Sequence, residues 1–171
     1  MSAPNTTSQD RKVKFGESSE LLVASRFLAH GLVAGQLPRG YKSDDLYVEL
    51  GKEAFHVQVK TRVGPKSWPT GLNIVGEVKR VYALVHYRSL KPEDLIEPVI
   101  YLVPSLVVKH AVETHTRHYR KSHPNQKGPG VPAVADPWRE QEKMERAGYG
   151  KGWLDERYRE QWTAFMSGRL A

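Results

Sequence analysis

Apolar positions recur along the chain with two periods, and each period predicts its own kind of element. In "GESSELLVASRFLAHG", residues Leu21, Leu22, Ala24, Ser25 and Leu28 fall at helical spacing and Gly31 supplies a stop, so a helix is expected from about Glu17 to His30. "LVAGQLPRGYKS" reads as a short strand and a turn punctuated by Pro38 and Gly40. In "DDLYVELGKEAFHVQVKTRV" the period changes to two. Leu46, Val48 and Leu50 alternate with Tyr47 and Glu49, and Gly51, Lys52 and Glu53 turn the chain. Phe55, Val57, Val59 and Thr61 then alternate with His56, Gln58, Lys60 and Arg62, completing a β-hairpin. "VGPKSWPTGLNIVGEV" is a loop by its glycines and prolines. "KRVYALVHYR" and "EPVIYLVPS" are apolar runs expected as strands, the first buried on both faces. Ser105 is placed to cap a following helix, "LVVKHAVETHTRHYRK".

Beyond residue 121 the pattern breaks down. Pro124, Gly128, Pro129, Gly130, Pro132 and Pro137 exclude regular structure there. "WREQEKMERAGYGKG" reads as a polar helix. "WLDERYREQWTAFM" reads as a helix whose face of Leu154, Tyr158, Trp162, Phe165 and Met166 should dock on a core or on another subunit. The order implies an α/β (α+β) fold, a central mixed β-sheet flanked by helices with a helical C-terminal extension. Three regions are expected: a flexible arm over 1–12, a core over 13–121, and a Pro/Gly-rich loop with helical extension over 122–171.

Composition narrows the class. The chain has 171 residues, enough for one domain, with 39% hydrophobic and 26% charged residues, a globular balance. Lys and Arg outnumber Asp and Glu by 26 to 19, a formal +7 that favours an anionic partner. With no cysteine, disulfides, thiolate metal sites and a cysteine nucleophile are excluded. No apolar run reaches the length of a membrane span and the N-terminus lacks a signal-peptide core, so a soluble, cytoplasmic protein without a membrane partner is expected.

The hairpin carries the candidate chemistry. Gln58 and Lys60 project from one face of their strand. Antiparallel pairing brings Asp45, at the start of the preceding strand, towards Lys60 and Arg62. Glu20 lies on the first helix, which needs the sheet to cover its apolar side. A carboxylate at Asp45, the backbone carbonyl of Val59 and the neutral oxygen of Gln58 would suit a hard cation such as Mg²⁺, with Glu20 adding charge directly or through water. Lys60 would position the attacking water or steady charge on a phosphate. Asp44 is the second candidate for the strand-entry ligand, and Glu17 for the helix glutamate.

Asp45, a hairpin and "QVK" at 58–60, preceded by a helix with "GESSE", resemble the PD-(D/E)xK nuclease superfamily, in the branch where glutamine replaces the second acid. The resemblance covers about residues 13–110. "VPS" at 103–105, leading into a helix, is similar to compact members such as homing endonucleases and junction resolvases. Ser43 and Asp44 stand where the family has a proline. The resemblance implies a restriction-endonuclease-like fold and a Mg²⁺-dependent DNA endonuclease, with Mn²⁺ as a substitute. It makes Asp45 the metal-binding aspartate, Gln58 the variant second position, Lys60 the catalytic lysine and Glu20 the helix glutamate. Cutting both strands takes two sites, so a homodimer or higher oligomer is implied, and the last helix is a candidate contact.

Further basic residues are candidate nucleic-acid contacts. Lys109, Arg117, Arg120 and Lys121, interspersed with His110, His115, His118 and His123, make a basic helix face; the alternative is a solvated surface. The histidines complete no zinc pattern. Arg62, Lys66 and Trp68 sit at or past the end of the motif strand and could touch DNA, or Trp68 could anchor the loop. Trp138, Trp153 and Trp162 read as packing residues. A nucleic-acid-binding module without activity, and a structural subunit, are the competing functional readings.

Overall fold

The computed structural model describes residues 8–38, 40, 44–64, 68–70, 74–89, 91, 97–125, 133–134 and 158–167. Its elements are α1 (Ser8–Ala29), β1 (Val33–Gln36), β2 (Leu46–Leu50), β3 (Glu53–Val63), β4 (Trp68–Pro69), β5 (Arg80–Tyr87), β6 (Val99–Pro104), α2 (Ser105–Ser122), β7 (Ala133–Val134) and α3 (Trp162–Met166).

The hairpin forms as its alternation predicts, in the register Leu46↔Val57 to Leu50↔Glu53. That register leaves Gly51 and Lys52 as a two-residue turn, with Glu53 already in the strand. Gly51 sits at φ 63, the positive value that a tight hairpin turn asks of its first central residue and that glycine adopts without strain. Five strands form one sheet in the order β1-β2-β3-β5-β6. The β3–β5 pair is parallel and the other neighbours are antiparallel, so the sheet is mixed.

Period-two alternation in the central strands sorts the core onto two faces. Val81, Ala83, Val85 and Tyr87 of β5 and Ile100 and Leu102 of β6 pack with Val23 and Phe27 of α1. Tyr82, Leu84, Tyr101 and Val103 point the other way and pack with Val108, Ala111 and Val112 of α2. Each helix therefore covers one face, and β5 is buried on both, as its apolar run requires.

Several expectations are corrected. The first helix begins at Ser8, so residues 8–12 belong to it and not to an arm; Gln9, Arg11 and Lys12 are good helix formers, and polarity alone disguised them. Its buried stripe is Ser19, Val23, Ala24 and Phe27; of the expected positions Ala24 is buried and Leu22 packs against the core, while Leu21 and Leu28 are more than half exposed. The serine in that stripe masked it; its hydroxyl is satisfied by donating to the carbonyl of Phe15 at 2.9 Å.

Ser105 does not cap α2. Its Oγ donates to the Glu77 carbonyl at 2.7 Å and accepts from the Glu77 N–H at 2.8 Å, tying the preceding loop to the helix start. Ser105→Ala should cost about 1 kcal/mol in urea unfolding, because the Glu77 N–H loses its acceptor beside a fully buried position, while the Glu77 carbonyl keeps the Arg80 N–H at 3.2 Å.

The Pro/Gly-rich stretch is not wholly irregular, since Ala133–Val134 pairs with Trp68–Pro69. The expected polar helix over 138–152 lies outside the described residues. The last expected helix is broken: the Tyr158 carbonyl accepts from Leu102 N–H, and Glu160 N–H donates to the Ile100 carbonyl, both at 2.8 Å. Residues 158–160 thus run along β6 and cover the edge of the sheet. Among the described residues helix resumes at Trp162. There Trp162 and Phe165 are buried, with their rings 5.0 and 5.1 Å from that of Phe27. These two residues of the face offered as a subunit contact are spent on the chain's own core.

Candidate functional site

The adjacent aspartates at the start of β2 have different surroundings. Asp44 is fully buried and pairs side-on with Arg80, Oδ1 to Nε at 2.8 Å and Oδ2 to Nη2 at 2.9 Å. His56 Nδ1 lies 3.3 Å from the same carboxylate. Arg80 opens the buried strand β5, and a charge at the head of an apolar run was the sequence signal for such a partner. Asp44 is thereby committed to holding the sheet together.

Asp45 is held differently. Its carbonyl accepts from Leu37 N–H at 2.9 Å and its N–H donates to the Val57 carbonyl at 3.1 Å. Its Oδ2 accepts from Val59 N–H at 2.7 Å. Backbone direction alternates along β3. His56 and Gly64 donate towards β5, to the carbonyls of Lys79 and Tyr87. Val57 and Val59 face the β2 side. Since β2 starts opposite Val57, the Asp45 side chain fills the place of a strand partner for Val59. In a regular strand the carbonyl leaves on the same edge as the N–H, so Val59 presents its oxygen on the Asp45 side.

Two further groups approach from opposite faces of the sheet. Glu20 comes from α1, with Gln36 Nε2 donating to its Oε2 at 3.2 Å. Lys60 alternates with Val59, which packs in the α1 core, and so projects from the other face. Burial is the main cause pushing both the Glu20 and the Asp45 carboxyls above their ordinary range. The Asp45 charge adds to the rise at Glu20, while the Lys60 ammonium lowers both. The fold therefore brings Glu20, Asp45 and Lys60 within electrostatic reach of one another. Gln58 shares the Lys60 face, is nearly buried, and pairs in register with Tyr82.

A cleft of about 280 Å³ opens between the first half of α1 and the β1–β2 loop. Glu20 and Asp45 line it together with Glu17, Val13 and Leu37. Glu17 reaches the same cleft one helical turn before Glu20.

The donor set suits a hard divalent cation. Two half-buried carboxylates repel each other and are short of positive charge, and every nearby candidate donor is oxygen. Among the described residues no three His, Asp or Glu side chains gather as a metal-binding group. A cation here would rest on Asp45 and Glu20, with the Val59 carbonyl and water; Gln58 lies on the face of β3 away from α1 and does not line the cleft.

Of the candidate nucleic-acid contacts, Lys109, Arg117, Arg120 and Lys121 are exposed on α2. Lys66 lies outside the described residues. Arg62 is corrected: it is 3% exposed, and its guanidinium carbon lies 3.6 Å over the Trp68 ring. Its Nη2 is 3.1 Å from His86 Nδ1. A cation stacked on a buried indole is not presented to a phosphate. Trp68 is fully buried, and its Nε1 donates to the Val85 carbonyl at 3.0 Å, so it anchors the loop.

Among the described residues no helix is long and apolar enough to cross a membrane. In comparisons with known proteins, the chain matches no family model, no curated protein and no solved structure.

Proposed function

We propose that the chain is a Mg²⁺-dependent endodeoxyribonuclease with a restriction-endonuclease-like fold, acting in the cytoplasm. One observation carries this reading: Glu20, Asp45 and Lys60, from a helix, a strand entry and a central strand, sit within electrostatic reach at one end of β3. In this reading Asp45 and Glu20 hold the cation, with Mn²⁺ as a substitute. The Val59 N–H fixes the Asp45 carboxylate at 2.7 Å. A bound cation would polarise the scissile phosphate and acidify a water. Lys60 orients the attacking water and offsets negative charge growing on the phosphate. Gln58, neutral and nearly buried, can orient water by its amide without adding charge.

A cut through both strands of a duplex would take two sites, and for that case a homodimer or higher oligomer is proposed. Its contact is not α3, whose aromatic face is already covered.

The test is incubation with supercoiled and linear DNA and Mg²⁺ or Mn²⁺, comparing the wild type with Lys60→Ala. Cleavage that persists undiminished in Lys60→Ala removes the proposal. A second reading, a nucleic-acid-binding module without activity, draws on the neutral Gln58 at the position of a second strand acid. It predicts DNA binding with no Mg²⁺ dependence. Either reading expects the exposed cations of α2 to grip phosphates. Arg117→Ala and Arg120→Ala should each weaken binding and lower the slope of log affinity against log salt by about 1.

A further inference from the structure

Among the described residues, the face of the sheet opposite α1 is only half covered. The core beneath α2 draws its residues from α2, β4, β5 and β6, and none of its members belongs to β1, β2 or β3. Over those three strands the alternation places Gly35, Tyr47, His56, Gln58 and Lys60 on this face. Resting on the nuclease reading, this surface lies on the Lys60 side of the site.

Tyr47 is the aromatic group set into it. Its hydroxyl donates to Glu49 Oε1 at 2.7 Å, two residues further along the same strand. That bond draws the ring along β2 and away from the Asp45 end. Its cross-strand partner on β1 is Gly35, which has no side chain, and a Cβ built there meets nothing within 4 Å. The ring is half-buried, with open space on the β1 side. On β3 its partner is His56, and Gln58 is the diagonal neighbour, about 7–8 Å away. One nucleotide spans that distance.

We propose that Tyr47 is a stacking platform for an unpaired base beside the scissile phosphate, so the substrate is DNA that is single-stranded at the cut, as in a flap, a loop or a frayed end. A base in a duplex has both faces occupied by its neighbours and cannot lie on a ring fixed in a sheet. An unpaired base can, and any base suffices because each has a π face. The glycine opposite leaves room for it.

The experiment uses the full chain carrying Asp45→Asn, which leaves binding to be read without cutting. Binding is measured to a single-stranded oligonucleotide with 2-aminopurine at successive positions, and to the same oligonucleotide in duplex. The Asp45→Asn protein should prefer the single strand and quench 2-aminopurine at one position. Tyr47→Phe should keep both properties. Tyr47→Leu, which preserves strand propensity and bulk, should lose the quenching and about ten-fold or more of the single-strand affinity. Equal affinity for duplex and single strand, or unchanged quenching in Tyr47→Leu, overturns the stacking role. That failure is distinct from failure of the nuclease reading, which is read separately as the loss of cleavage in Lys60→Ala.

Discussion

Asp45→Asn is expected to lower DNA cleavage on the order of 10³-fold or more while leaving the fold as stable as the wild type or more so. Both halves of that result come from the same geometry. The amide oxygen of asparagine can still accept from Val59 N–H, so the strand entry keeps its anchor. What disappears is a half-buried charge close to Glu20. Because burial raises both carboxyls above their unfolded values, the folded chain holds their protons more tightly than the unfolded chain. Stability should therefore fall as pH rises from the ordinary carboxylate range through the raised values, and the loss is absent below both. Cleavage should rise through that window, since only the ionised carboxylates hold a cation. Thermal unfolding against pH would show the falling segment in the wild type and a shallower one in Asp45→Asn. If the variant melted well below the wild type at every pH, the acid would be a structural group and not a site.

Its neighbour should behave in the opposite way. Asp44→Ala leaves the Arg80 guanidinium, 6% exposed, without its buried carboxylate and with Glu77, 3.8 Å away and half exposed, as its remaining acid. Removing one partner of a buried pair costs about 3–5 kcal/mol, because the remaining charge stays desolvated. In a chain of this size that is a drop in melting temperature on the order of 10 °C. The loss belongs mainly to the stranded arginine, so Asp44→Leu combined with Arg80→Met should be less destabilised than the sum of the single changes. Urea unfolding of the four proteins measures the coupling directly. A full additive loss would mean that the two side chains stabilise the sheet independently, against the 2.8 and 2.9 Å contacts between them. Two consecutive aspartates thus have opposite signatures, one in rate and one in stability.

The hairpin was legible because alternation, a glycine turn and β-branched residues all pointed the same way. The register pairs Leu46 with Val57, which sets Asp45 beside the backbone of Val59 and leaves Lys60 on the face away from α1. The choice of Asp45 over Asp44 was not decidable from spacing alone. It depended on Arg80, 35 residues beyond Asp45 and invisible to any local pattern. The buried stripe of α1 was misread because Ser19 interrupts it, and a hydroxyl that finds a carbonyl within its own helix is as easily buried as an alanine. Arg62 read as a surface cation because its strand neighbours are polar; only Trp68, arriving from the next loop, shows that it is covered. The tail escaped reading because its helical spacing is real in Trp162 and Phe165, while residues 158–160 pair with a strand distant in sequence. Local period cannot announce a partner that tertiary packing supplies.

Leu50 and Glu53 are separated by only two residues, so the ribbon that carries Asp45 and Gln58 can close by itself. Isolated ribbons of this kind zip in about 1–10 μs. Glu20 comes from α1, outside that ribbon, so the repulsion between the two like charges is a cost of packing the helix on the sheet and not of closing the hairpin.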